Sequence, residues 1–492
     1  MYRLRNWVLI ILALIGSMTV GISQEITAQL DLGRRDPKPT FYEFSPVDQG
    51  LVTFGATSTA SSRYLGLIKY DTDLKREWKK TVIQQNGRKN VDFVTVIGEN
   101  ILVFVSEFFP KENVIKTYYY RYDLDGKIIV EEEILSVYPN QKEQKVDLQY
   151  VLSPNKRTLL CYKNLQNKKN SEEILYYLFD ETGDYVTNGE VSLKYPDNRF
   201  EVRSLRVSNA GNLFILGKFY RSQRVREAQD FQYLIYRYDV FKQVGKEYYI
   251  VLGDRFITDL AFRLDKVENM YVAGFYSNRG TDQIAGTLLQ KITPAGDLLI
   301  NASQKFGADF LRNYLSLGQI DKGRELRDFY MDPKDGIVLR SDGGVLLLAE
   351  KFYLTQQSYR DLYGAWVERK IYHYEDVILT SVNQAGEIEW HAIVDKVQQS
   401  DNPVSLSYFN AVGRNGAYVF YELKPRRSGL NVYYNFVAIE GMVSDRVPLI
   451  PDYNFGDEFY PRYSEQISNN EALMVYFQNR GRTLSVVKVA FE

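Results

Sequence analysis

Apolar and polar positions along the chain repeat one unit from end to end. An apolar strand gives way to a polar turn and then to a strongly apolar strand that often ends in aromatics. A third strand follows, commonly closing near Tyr-Asp or Phe-Asp, then a tight turn and a fourth strand. The second strand is the clearest marker. It occurs at Gly50 to Gly55, Asn100 to Val105, Arg157 to Tyr162 and Asn212 to Gly217, and again at Asn269 to Gly274, Gly344 to Ala349, Gly416 to Tyr421 and Ala472 to Phe477.

The hairpin between third and fourth strands recurs beside it, as Tyr70-Asp71-Thr72-Asp73, Tyr122-Asp123-Leu124-Asp125-Gly126 and Phe179-Asp180-Glu181-Thr182-Gly183. Gly supplies the positive φ such turns need, and Asp or Asn caps its own backbone. Four strands per repeat predict an all-β fold, a single β-propeller of about eight four-stranded blades, with seven as the alternative count. Markers lie roughly 50 to 75 residues apart, longer than the ~40–50 of common blade families, so long loops are inserted. The last copy lacks a fourth strand, whereas Glu25 to Leu32 is a strand without a blade. Residues 24–34 are therefore expected to close the last blade of a propeller spanning 41–492, with Ile26, Ala28, Leu30 and Leu32 on one face.

The marker strands and their preceding turns, above all Asn209-Ala210-Gly211-Asn212-Leu213-Phe214 and Glu268-Asn269-Met270-Tyr271-Val272-Ala273-Gly274, resemble the glycine-and-asparagine repeat of secreted bacterial β-propellers. The resemblance implies fold and export, not activity, because propellers host many unrelated functions. The Trp-Asp signature of one propeller family and the Ser-x-Asp-x-Gly-x-x-Trp box of sialidase-like propellers are both absent.

Composition adds a compartment and removes a partner class. Arg3 and Arg5 precede the apolar run Trp7 to Ile15, with small residues at Gly21 and Ser23, the order of a signal peptide over residues 1–23. The run is too short to span a bilayer, and no later segment is longer, so the mature chain is expected to be exported without an integral membrane segment, to the periplasm, the outer surface or the medium. No Cys lies near the cleavage point, which argues against a lipoprotein anchor. The 61 basic and 62 acidic residues nearly cancel, which disfavours nucleic acid. Cys161 is the only cysteine and falls in an apolar run expected to form a buried strand, so it reads as an inert thiol.

Candidate chemistry is sparse. Only His373 and His391 are present, Asp123-Leu124-Asp125-Gly126 lacks the remaining calcium ligands, and no Gly-x-Ser-x-Gly elbow, P-loop or dinucleotide fingerprint occurs. No cofactor or metal is expected. The chain reads as a non-catalytic binding or assembly scaffold for a protein or glycan partner, the alternative being a carbohydrate-active hydrolase or lyase with a carboxylate pair.

Strand parity locates the working face. Turns after first and third strands are short and share one side of the ring; insertions after second and fourth strands share the other. Two large insertions therefore lie side by side. Phe306 to Leu326 is expected to carry a short helix over 309–315 that includes Phe310 and Tyr314. Leu354 to Tyr372 reads as a loop bearing Tyr359, Arg360, Tyr363, Trp366, Arg369 and Tyr372. Tyr, Trp and Arg dominate binding hot spots, so these eight residues are the candidate recognition platform, with capping of the loops' own small core as the competing role.

Overall fold

The computed structural model describes residues 25–32, 45–47, 50–58, 63–85, 89–139, 148–165, 171–220, 231–278, 283–332, 336–360, 364–423, 431–449, 458–478 and 483–491. The signal-peptide expectation for residues 1–23 lies outside them.

Every marker run forms the second strand of an antiparallel sheet. Blade four shows the plan, in the order Phe200–Val207, Leu213–Tyr220, Phe231–Asp239 and Val244–Ile250. The marker runs of the second strands are largely apolar because both their faces are covered by neighbouring blades; Met270–Ser277 in blade five is buried at every position. Among the described residues eight sheets give eight blades, so the seven-blade count is set aside.

Closure is visible in two ways. Glu25–Leu32 pairs antiparallel with Thr483–Ala490 and supplies the outer strand of blade eight. A register shift between Ile26 and Ala28 corrects one expectation: Ala28, Leu30 and Leu32 keep a common parity, and Ile26 is offset from them by the bulge. The second sign of closure is packing. Eight apolar clusters each unite the facing sides of two successive blades, and the last joins Leu473, Val475 and Val486 of blade eight to Leu51, Ile68 and Tyr70 of blade one. Cys161 belongs to the cluster between blades two and three, where burial pushes its thiol well up.

The tight turns tie blade to blade. Asp71 Oδ1 accepts the backbone N–H groups of Asp73 and Lys75 at 2.9 and 2.8 Å, and Asp180 Oδ1 does the same for Thr182 and Asp184. Gly183 has φ 72°, as this turn requires, and Leu74 holds the same left-handed position at φ 61° in blade one. Two of the chain's four Trp reach to the next blade's turn: Trp78 Nε1 donates to Leu124 O at 2.9 Å and Trp390 Nε1 to Ile439 O at 2.8 Å.

Candidate partner-binding face

Blade six departs from the repeat on the side that carries the insertions. Its second and third strands, Val345–Arg360 and Trp366–Val382, do not stop at the edge of the blade but continue as a paired two-stranded ribbon to Arg360↔Trp366. Leu354 to Arg360 and Trp366 to Tyr372, expected as parts of a loop, thus form a β-ribbon. At ~3.3 Å per residue, the strand from Phe352 to Arg360 extends about 30 Å. Residues 354–360 are all exposed, as are 364–366 and 368–370.

Pairing divides the expected platform. Residues directly opposite each other share a face, and faces alternate along each strand. Leu354, Arg360, Trp366 and Tyr372 therefore lie on one face, and Tyr359 and Arg369 on the other. The Arg360 guanidinium sits over the Trp366 ring at 5.1 Å. Arg369 Nη2 pairs with Asp401 Oδ2 at 2.5 Å on its own face. Trp366 is 68% exposed and Tyr359 48%. Tyr363 lies outside the described residues.

The ribbon's root is held by charge and aromatic packing. A bulge sets Glu375 and Asp376 against Lys351 alone. Lys351 Nζ meets Glu375 Oε2 at 2.5 Å, Tyr353 OH donates to Glu375 Oε1 at 2.6 Å, and Tyr353 stacks on His373 at 4.4 Å. Burial works to raise Glu375, and those two donors hold it below the usual carboxylate range nonetheless. Behind the root, Lys396 is fully buried and pairs with Glu350 at 2.5 Å. Ser407 Oγ donates to the second Glu350 oxygen at 2.6 Å, and Lys396 Nζ also donates to Gln398 Oε1 at 2.9 Å. Burial pushes Glu350 up and Lys396 down, each opposed by the other's charge. Arg462 of blade eight donates to Tyr374 OH at 3.1 Å, which links the root across to a third blade.

The second insertion packs inward. Its helices are Ala308–Leu311 and Leu317–Asp321, so the expected helix over 309–315 begins one residue earlier and ends at Leu311. Phe310 and Tyr314 rest half-buried against the core between blades five and six. Phe310 stacks on Phe306 at 4.5 Å and lies 5.6 Å from His391; Tyr314 meets Phe329 edge-on at 5.3 Å. Both fill the packing role rather than a solvent-facing one. Burial and the neighbouring Asp376 carboxyl push Tyr314 up. Asp376 is itself raised, by burial first and then by nearby Asp395. This carboxylate pair, like the Lys396 network, carries no sequence signal, because its members are far apart in the chain and occupy ordinary polar positions in strands and connections.

No protein-family model matches the chain, and no curated protein matches it. Among solved structures, the WD40 domain of SCAP from fission yeast is similar at 6% identity and a TM-score of 0.39, covering 94% of this chain and 98% of that one. The Cps50 (Swd1) β-propeller domain of Myceliophteria thermophila is similar at 10% identity and 0.31, covering 81% and 99%. A lignostilbene dioxygenase from Pseudomonas brassicacearum is similar at 10% and 0.34, covering 87% and 92%. Likenesses this distant carry no argument about function; the fold rests on the eight sheets and the clusters between them. Among the described residues, no helix is long and apolar enough to cross a membrane.

Proposed function

We propose that the protein is an exported, non-catalytic propeller scaffold that captures a protein partner through the blade-six ribbon. The observation that carries this reading is a paired ribbon with Trp366, Arg360 and Tyr359 held out in solvent. Isolated two-stranded ribbons are marginal in water, and one bearing exposed aromatics gains stability when a partner covers it. Its open strand edges also offer main-chain pairing to an extended segment of another protein. A protein is favoured over a glycan because Trp366 and Tyr359 occupy opposite faces. A sugar ring stacks on aromatics set side by side, whereas a ribbon with both faces armed suits insertion into a protein groove.

The test is site-specific photo-crosslinking in the native envelope fraction, with the cross-linker at Trp366, at Tyr359, and at exposed Ile439 on the opposite face as control. A discrete protein adduct from the ribbon positions alone supports the reading, and equal adducts from Ile439 refute it. Export has its own check: N-terminal sequencing of the mature protein is expected to begin near Gln24, and an intact Met1 on exported protein contradicts it.

A further inference from the structure

The connector between blades five and six does more than bridge them. It leaves and returns at neighbouring points: Phe306 N donates to Ala285 O at 3.0 Å, and Leu326 exchanges backbone hydrogen bonds with Ile284 at 2.8 and 3.0 Å. Between these anchored ends and the blade lies a cavity of about 400 Å³. That volume falls in the range of small-molecule sites. Its lining includes apolar Ile284, Phe306, Leu311 and Ile320. It also includes two cations, Lys305 and Arg324, both exposed and neither in an ion pair among the described residues.

The cavity's carboxylate does not neutralise them. Glu325 is buried and turned to hydrogen-bond donors, with Ser277 Oγ at 2.7 Å on one oxygen and Asn278 N and Nδ2 at 3.3 and 3.2 Å on the other. Two cations outside ion pairs beside apolar lining residues suit an anionic head group on an apolar body.

We infer that this cavity binds a small amphipathic carboxylate, its head between Lys305 and Arg324 and its body against Phe306 and Leu311. The walls are pinned by backbone hydrogen bonds, so the site is largely pre-formed and binding orders little of the chain. A doubly charged head group fits less well, because Glu325 stands in the same wall. The site is separate from the ribbon, and either assignment can fail without the other.

Isothermal titration of the full chain with decanoate tests this, with decanol and decylammonium as length-matched controls. Decanoate is expected to bind at one site, and both controls roughly ten-fold or more weaker, since a charge-assisted contact is the stronger kind. Arg324→Glu and Lys305→Glu are each expected to weaken decanoate by roughly ten-fold or more with Tm unchanged, because both side chains are exposed. Leu311→Trp, which fills the cavity, is expected to abolish binding. Absence of decanoate binding overturns the assignment. So does equal binding of the three probes, or binding that survives Arg324→Glu.

Discussion

His391 makes the ring acid-labile by a calculable amount. Its imidazole lies 5.1 Å from the Phe306 ring and 5.6 Å from Phe310, with Nδ1 2.9 Å from Thr380 Oγ1. Burial lowers its pKa from 6.5 to about 4. Above pH 6.5 the imidazole is neutral whether folded or unfolded, and it imposes no penalty. As pH falls toward 4 the unfolded chain takes up a proton that the folded chain refuses, so stability is lost through that window. The gap from 6.5 to about 4, at about 1.4 kcal/mol per pH step, amounts to roughly 3 kcal/mol. With an unfolding entropy of about 2 cal/mol/K per residue, a chain of 492 residues changes by about 1 kcal/mol for each degree in Tm. Between pH 7 and pH 4 the wild type should therefore lose about 3 °C more than His391→Gln, whose side chain does not titrate. Carboxylates that titrate in both proteins cancel in this difference. With only two histidines in the chain, the His391 imidazole can be followed by NMR and should still be neutral at pH 5. Equal Tm losses, or a His391 midpoint near 6.5, would falsify the buried imidazole.

Two further perturbations probe the ring and the ribbon's root. Deleting Glu25–Leu32 strips the outer strand from blade eight and leaves Thr483–Ala490 as an open edge; a lower Tm with concentration-dependent association by size-exclusion chromatography is expected, and unchanged melting contradicts closure by this strand. Lys396→Met leaves the Glu350 carboxyl buried without its cation, at a cost of about 3–5 kcal/mol in thermal or denaturant unfolding. Adding Glu350→Gln should restore most of that loss, and a single variant as stable as wild type contradicts the pairing.

The blades were legible because second strands are buried on both faces. A run such as Met270 to Gly274 is apolar at every position and cannot be mistaken for a solvated segment. The tight turns were legible for a local reason, since Asp180 and Gly183 carry their own turn chemistry. The ribbon was not. From Thr355 to Arg360 both faces meet solvent, so no two-residue alternation of apolar and polar marks a strand, and the segment reads as loop. Without strand parity, nothing in the sequence separates Trp366 from Tyr359, which lie on opposite faces. For Phe310 and Tyr314 the sequence leaves recognition and core capping both open, because the cluster they rest against is built from strands before and after the connector in the chain. Lys396 and Glu350 meet only because the fold brings the connection after Ile388–Val394 against the second strand of the blade.

The ribbon, and not the ring, is expected to select the partner. Gln356 and Lys370 are directly opposed, so a two-residue Asn-Gly turn can join them in place of Gln357 to Arg369, which removes Tyr359, Arg360 and Trp366 and keeps buried Ile371 and the Thr355–His373 hydrogen bond. Partner affinity of this shortened protein, measured beside its Tm against wild type, tests the claim most directly. Loss of binding with an unchanged Tm is the predicted result; wild-type affinity in the shortened protein would contradict it.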